Sequence, residues 1–208
     1  MSAPPLTGEQ VELFSRCIAV GGVVVFPSDT VYGLACDPSL SDAVTRLYAL
    51  KRRSLESPSA VMFFSFDSAL DALPELGPKT RVALERLLPG PLTLLLSNPA
   101  GRFPLACGDQ PATLGLRVPA LSPQLAALGE LRWPILQSSA NKAGKPAPSS
   151  IEQLDPEIRS EVDLLLDGGP LGELSSSVLD LREYESDGRW ELLREGPLGH
   201  DQIERLLS

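Results

Sequence analysis

Histidine, cysteine and lysine are scarce in this sequence, and each shortage argues against a class of chemistry. The 208 residues include one histidine, His200 near the C-terminus, so neither a Ser-His-Asp hydrolase nor a histidine-rich metal centre is expected. The three cysteines form no C-x-x-C pair, which argues against a zinc site and a disulfide framework. Only four of the 18 basic residues are lysines, and the abundant arginine suits bidentate contacts with phosphate or carboxylate.

Long apolar runs and nucleotide-binding glycine motifs are also missing. No segment approaches the length of a membrane span, and no charged start precedes a leader-like apolar stretch, so we expect a cytoplasmic protein without a membrane anchor. Neither G-x-x-x-x-G-K-[ST] nor G-x-G-x-x-G occurs, which means that any nucleotide must be held in another way. The net charge of -9 argues against a protein that coats nucleic acid, although it is compatible with a local basic pocket.

A short β-branched apolar segment, residues 23–26, is the strongest local signal that the sequence does contain. Its length and branching predict a central strand buried on both faces, which Pro27 would end because proline has no N–H to donate. Ser28, Asp29 and Thr30 follow the strand's carboxyl end, the edge at which open α/β sheets bind ligands. The alternative is an ordinary turn after a strand.

Helical and strand-like segments alternate along the rest of the chain and predict one α/β domain over residues 1–208. Thr7 predicts the capped start of the first helix, and Ser41 that of the second, which would end at the basic residues 51–53. Further elements are expected as helices at 78–88, from 122 and at 200–207, and as strands at 60–64, 92–96, 114–118, from 135, and at 164–166, 177–181 and 190–193.

Arg117 interrupts one of these predicted strands between two apolar residues. Since an unpaired buried charge is very costly, this arginine either has an anionic partner or lies on a half-exposed face of the strand. Other cations, hydroxyls and amides occur near the ends of predicted elements, and no nucleophile-base pair accompanies them. This combination favours transfer at phosphorus, in which positioning and charge neutralisation do most of the work.

Seven short motifs resemble, in order, those of the YrdC family over roughly residues 20–196. They are Pro-Ser-Asp-Thr-Val-Tyr-Gly-Leu at 27–34, Lys-Arg-Arg at 51–53, Pro-Gly-Pro-Leu-Thr at 89–93, Leu-Arg-Val-Pro at 116–119, Ser-Ser-Ala-Asn at 138–141, Ser-Ser-Val at 176–178 and Leu-Arg-Glu-Gly at 193–196. One such motif would be a weak signal, but seven in order are a strong one.

The resemblance implies a twisted mixed sheet, largely parallel and flanked by helices, with a concave basic cavity in a single-domain form of the family. The activity it implies is that of a threonylcarbamoyl-AMP synthase, a nucleotidyltransferase. L-threonine, bicarbonate and ATP, with Mg²⁺ as the companion ion, would give threonylcarbamoyl-adenylate and pyrophosphate. The product would pass to separate transferase proteins that form threonylcarbamoyladenosine in tRNA, and weak RNA binding is a further expectation.

The family motifs also imply site residues, position by position. Lys51 and Arg53 match the K-x-R pair, which would hold the ATP phosphates and act as the catalytic cations. The other residues expected on the ATP side are Ser57, Thr113, Asn141, Ser149 and Arg194. The residues expected to contact L-threonine are Thr30, Arg117, Ser139 and Ser176, with Arg117 pairing with the substrate carboxylate. No residue is expected to bind a metal directly.

The chain departs from the family pattern at three places. Ser28-Asp29 replaces the usual Thr-Glu, Ser54 stands where proline is usual, and Met62 stands where longer relatives have a threonine-contacting histidine. Two other functions stay open: a carbamoyl-adenylate-forming module of hydrogenase maturation, and a double-stranded-RNA-binding module of ribosome assembly. The first normally belongs to a longer chain with acylphosphatase-like and zinc-finger segments, and the acidic net charge argues against the second.

Overall fold

The computed structural model describes residues 4–208, in which nine strands form one mixed sheet. The strands are β1 Val24–Pro27, β2 Tyr32–Cys36, β3 Ala60–Met62, β4 Leu92–Ser97, β5 Thr113–Arg117, β6 Ile135–Ser139, β7 Leu164–Leu165, β8 Ser177–Asp180 and β9 Glu191–Arg194. Their order across the sheet is β7-β1-β2-β6-β3-β5-β4-β8-β9. β1 is therefore an interior strand, as its apolar sequence predicts.

Eight α-helices in the described residues surround this sheet. They are α1 Gly8–Ala19, α2 Ser41–Leu50, α3 Phe66–Ala72, α4 Pro78–Leu87, α5 Pro104–Cys107, α6 Pro156–Glu161, α7 Tyr184–Asp187 and α8 His200–Leu207, and a 3₁₀ helix spans Pro123–Glu130. Thr7 caps α1 through a capping box, which confirms that prediction. The predicted cap at Ser41 is wrong, because Ser41 is already the first helical residue and Leu40, before it, makes no side-chain cap. Within residues 4–208, no helix is both long enough and apolar enough to cross a membrane.

The mixed sheet flanked by helices is confirmed, but its strands are not largely parallel. Three strand pairings are parallel, namely β1 with β7, β3 with β5 and β4 with β8. The five others are antiparallel. Two of the antiparallel pairings involve β2, a strand that was not predicted from the sequence: residues 28–31 form the turn of an antiparallel hairpin in which Pro27 pairs with Tyr32.

The two faces of the sheet have different surroundings. One face buries Leu94 and Leu116 in a large apolar core against α2, α4, α6 and α8. The opposite face buries Met62 and Ile135 in a smaller core, where Phe14 of α1 and the 3₁₀ helix cover it. This second core covers only part of its face. Over β3, β5, β4 and β8, the same face is left open.

This arrangement changes where a ligand can bind. The sequence analysis placed the polar residues beyond a carboxyl edge of the sheet, as in parallel α/β folds. Neighbouring strands here mostly run in opposite directions, so the sheet has no common carboxyl edge. The candidate residues gather on the open face of the sheet instead.

Candidate functional site

A cavity of about 330 Å³ lies on the open part of the sheet face. Its floor is formed by alternate residues of adjacent strands, because side chains at positions i and i+2 of a strand point to the same face. Thr93 of β4, Thr113 and Arg117 of β5, and Gln137 and Ser139 of β6 all line it. Of the eleven predicted site residues, six line this cavity: Arg53, Thr113, Arg117, Ser139, Ser176 and Arg194.

The cavity is basic although the whole chain is acidic. Three arginines, Arg53, Arg117 and Arg194, belong to its lining, and no aspartate or glutamate of residues 4–208 does. Arg53 and Arg194 have no acidic partner within 4.0 Å in the described chain. A concave site with uncompensated guanidinium groups attracts anionic ligands.

Arg117 has the anionic partner that its apolar strand requires, and that partner belongs to the protein. Its Nη2 donates to Asp29 Oδ1 at 2.6 Å, and both side chains are about 4% exposed or less. The other carboxylate oxygen of Asp29 accepts the backbone N–H of Ala120 at 3.0 Å. Burial raises the pKa of the Asp29 carboxyl, and the Arg117 guanidinium opposes that rise. A substrate carboxylate would therefore meet an arginine that is already paired.

Thr30 lies directly behind Arg117 and does not line the cavity. Its Oγ1 accepts from Arg117 Nη2 at 3.2 Å and lies 3.1 Å from Ser28 Oγ. Because Ser28 uses its own hydrogen on the carbonyl of Val31 at 2.7 Å, the Thr30 hydroxyl must donate to Ser28. The hairpin turn thus orients Thr30 as an acceptor for the guanidinium.

Arg53 joins the end of α2 to the cavity wall. Its guanidinium donates to the carbonyl of Pro58 at 2.6 Å and to Ser138 Oγ at 3.2 Å, and it lies 5.7 Å from the centre of the Tyr48 ring. Tyr48 in turn donates to the carbonyl of Ser57 at 2.7 Å. These contacts hold residues 57–59 against the cavity wall.

Lys51 is buried beneath the loop that follows β6. Its Nζ donates to the carbonyl of Asn141 at 2.8 Å and also to the carbonyl of Ser139. Burial, reinforced by the nearby Arg53 cation, lowers the pKa of Lys51 to about 7. The side chain does not line the cavity, so in this arrangement Lys51 fixes the backbone that carries Ser139.

Asn141 organises the same loop from its other side. Its Oδ1 accepts from Ser139 Oγ, and its Nδ2 donates to the carbonyls of Lys142 at 3.0 Å and Lys145 at 2.6 Å. Asn141 lines a neighbouring cavity of about 460 Å³ rather than the main one. The motif at 138–141 contributes to both cavities: Ser138 and Ser139 line the main one, and Ala140 and Asn141 line the other.

Ser176, directly before β8, and Arg194 of β9 form another wall of the cavity. Arg194 donates from Nε and Nη2 to the carbonyl of Ser176 at 3.0 and 2.8 Å, and Ser176 Oγ lies 2.8 Å from Thr93 Oγ1. Gly196 permits this approach, since a Cβ there would lie 2.3 Å from the carbonyl oxygen of Ser175. Burial lowers the pKa of Arg194.

A family model matches most of this chain. The model for Sua5/YciO/YrdC proteins, described as telomere recombination, matches residues 16–196. The chain belongs to this family. The resemblance drawn from the seven motifs is thereby confirmed.

Individual Sua5/YciO/YrdC proteins are similar to this chain over most of its length. A threonylcarbamoyl-AMP synthase of Pyrococcus abyssi is 30% identical over 201 residues, which cover 96% of this chain and 57% of that protein. One of Stutzerimonas stutzeri is 34% identical over 180 residues, covering 85% of this chain and 95% of that protein. The structure of P. abyssi Sua5 complexed with L-threonine has a TM-score of 0.82 at 29% identity, covering 97% of this chain and 58% of that one. This chain thus spans less than two thirds of the Pyrococcus protein.

Two further residues predicted from the family motifs, Ser57 and Ser149, line neither cavity. Ser57 contributes its carbonyl to Tyr48, while the backbone N–H and the hydroxyl of Ser149 donate to Gln153 Oε1 at 2.9 and 3.2 Å. Met62, one of the three departures from the family pattern, is fully buried in the smaller core and does not line the cavity. No described contact tests the expected roles of Ser57 and Ser149 toward ATP, which stay predictions.

The sequence analysis missed two polar residues of the cavity floor, Thr93 and Gln137. Thr93 lies within a quoted family motif, where it alternates with buried Leu92 and Leu94 along β4. Gln137 is a polar residue inside an apolar strand, the same signal that identified Arg117. Strand periodicity would have assigned both to the open face.

Proposed function

We propose that this protein is a threonylcarbamoyl-AMP synthase, which joins L-threonine, bicarbonate and ATP into threonylcarbamoyl-adenylate and releases pyrophosphate. The observation that carries the proposal is the division of charge in the cavity. Arg117 is neutralised by buried Asp29, whereas Arg53 and Arg194 have no acidic partner among the described residues. The similarity to threonylcarbamoyl-AMP synthases supports the same reaction.

We assign the two substrates to different guanidinium groups of the cavity. A triphosphate carries several negative charges and fits the uncompensated guanidinium groups of Arg53 and Arg194. The amino-acid carboxylate carries one charge and fits the Arg117 end, which Asp29 and Thr30 hold in place. Ser139 and Ser176 add hydroxyl groups to the lining of the same cavity. Direct contact of Thr30 with the amino acid stays a prediction.

The proposed reaction has two steps. The amine of threonine first forms a carbamate through a new N–C bond, either with carbon dioxide, releasing a proton, or with bicarbonate, releasing water. A carbamate oxygen then attacks the α-phosphorus of ATP, forming the new O–P bond while the bond to the bridging oxygen breaks and pyrophosphate leaves. Holding both reactants in one cavity supplies effective molarity, and the arginines stabilise the charge that moves onto the leaving group.

Magnesium would enter this site with the nucleotide rather than as a resident ion. Mg²⁺ prefers carboxylate and phosphate oxygens, and no carboxylate of the described chain lines the cavity. Asp29, which is near, uses both oxygens on Arg117 and Ala120. The ATP phosphates are therefore the natural ligands for the metal.

Threonine-dependent release of pyrophosphate is the direct test of the proposal. ATP, magnesium and bicarbonate would be incubated with the protein and L-threonine, L-serine or no amino acid. We expect release with threonine well above both other conditions. ATP that stays intact under all three conditions would reject the synthase function. RNA binding would then be the function to test, with a filter assay over a range of salt concentrations. Transfer of the product to tRNA by separate proteins is a further prediction.

Replacing Arg53 with alanine should lower the turnover number at least tenfold. The change removes a charge-assisted contact to phosphate, which contributes about 1.5–3 kcal/mol. Turnover would be measured as pyrophosphate release at saturating threonine. Arg16→Ala removes an exposed arginine of α1 and is the matched control, expected to retain full turnover. An Arg53→Ala variant with the turnover of the control would remove Arg53 from the ATP site.

A further inference from the structure

Gln137 is a buried polar residue of the cavity floor that has no role in the reaction proposed for this site. It lies in the middle of β6, between Ala35 of β2 and Ala60 of β3, and is 4% exposed. Its Oε1 accepts from Arg117 Nη1 at 3.2 Å. Arginine can only donate hydrogen bonds, so this contact fixes the amide oxygen toward Arg117 and turns the amide nitrogen away from it.

The amide nitrogen of Gln137 lies over a glycine of the neighbouring strand. A Cβ at Gly33 would lie 2.8 Å from Gln137 Nε2, so only glycine leaves the amide its full space. No described residue accepts a hydrogen bond from this nitrogen. In residues 4–208, the single enclosed side-chain nitrogen or oxygen without a partner is Arg117 Nε. Gln137 Nε2 is thus not fully enclosed, and Gln137 is one of the residues that line the cavity.

The neighbourhood of this donor indicates which ligand group it meets. Gln137 is hydrogen-bonded to Arg117, whose charge Asp29 neutralises. A polyphosphate gains little from a paired arginine, whereas a single carboxylate is recognised by neutral and charged donors that point to its two oxygens. The arrangement combines one amide N–H with the remaining donors of one guanidinium.

We propose that Gln137 is a specificity-determining residue that donates from Nε2 to the carboxylate of the amino-acid substrate beside Arg117. This inference rests on the proposed function, since it assumes that the amino acid binds at the Arg117 end. It assigns Gln137 two tasks: its oxygen orients Arg117, and its nitrogen reads the carboxylate. Recognition of ATP does not depend on it.

Gln137→Glu separates these two tasks. The variant keeps an acceptor for Arg117 but replaces the donor with an anionic oxygen that repels a carboxylate. Calorimetry would measure binding of L-threonine, L-threonine amide and Mg-ATP, each alone. We expect threonine affinity to fall at least about tenfold, because a charge-assisted bond is lost and a repulsion is added, with binding of the amide and of Mg-ATP little changed. Gln137→Met, which removes the donor without adding charge, should lower threonine affinity by a smaller factor.

The ratio of threonine to threonine-amide affinity is the deciding quantity, because a general disturbance of the cavity would weaken both ligands together. Gln10→Glu makes the same chemical change in the capping box of α1, where glutamate is tolerated, and should keep the wild-type ratio. An unchanged ratio in both Gln137 variants would overturn the inference while leaving the synthase function intact. Weaker Mg-ATP binding with normal threonine binding would instead assign Gln137 to the nucleotide. A wild-type protein that binds no threonine would reject the proposed function and this inference together.

Discussion

Replacing Arg117 with methionine should lower the free energy of unfolding by about 3–5 kcal/mol. The variant leaves the Asp29 carboxylate buried at about 3% side-chain exposure without its guanidinium partner. An uncompensated buried charge is far more costly than a missing ion pair, because neither water nor a counter-charge replaces what is lost. Urea unfolding of wild type and variant at pH 7 measures the difference.

A double variant shows whether the uncompensated charge causes this loss. Asp29→Asn combined with Arg117→Met removes both charges and keeps the shape of the aspartate side chain. We expect the double variant to be more stable than Arg117→Met alone by about 2 kcal/mol or more, since no bare carboxylate remains. The loss of stability in the double variant could instead equal the sum of the losses in the single variants Asp29→Asn and Arg117→Met. In that case Asp29 and Arg117 are not energetically coupled, and the buried pair has no part in the stability of the cavity.

The elements that could be predicted from sequence are those whose signals are local. The apolar residues 23–26 predicted an interior strand, and the capping box at Thr7 predicted the start of α1. β2 escaped prediction because Tyr32–Cys36 holds Gly33 and directly follows polar turn residues. Its strand character comes from pairing with β1 and β6, which the sequence does not display.

In the candidate site, too, the features with local sequence signals could be predicted and those that depend on long-range contacts could not. Family motifs named six residues that line the cavity, among them Arg53 and Arg194. They did not reveal the partners that those residues use inside the protein. Asp29 and Arg117 are 88 positions apart, and only the hairpin turn brings the carboxylate to the end of β5. The sequence analysis gave the anion of Arg117 to the substrate alone, because a long-range ion pair leaves no periodic signal.

The free energy of unfolding of the wild type should rise with pH, and replacing Lys51 with methionine should remove this rise. Burial lowers the pKa of Lys51 to about 7, well below its ordinary value of 10.5. Between these pH values the unfolded chain binds a proton that the folded protein does not, so the stability of the wild type rises with pH across this window and levels off below about pH 7. We expect the wild type to gain about 2 kcal/mol relative to Lys51→Met between pH 7 and 9, as measured by urea unfolding at each pH.

The contacts of Lys51 explain why a neutral amine suits this place. A neutral amine has two N–H groups, and the side chain meets two carbonyls, those of Ser139 and Asn141. The third proton of an ammonium has no partner in the described chain, which adds to the cost of burying the charge. Lys79→Met removes one positive charge from an exposed site and controls for the general effect of net charge. Parallel curves of unfolding free energy against pH for the wild type and Lys51→Met would mean that Lys51 stays fully charged in the fold.

A bound polyphosphate would favour the charged form of Lys51 again. Binding of Mg-ATP at pH 8 should therefore take up a proton in the wild type and not in the Lys51→Met variant.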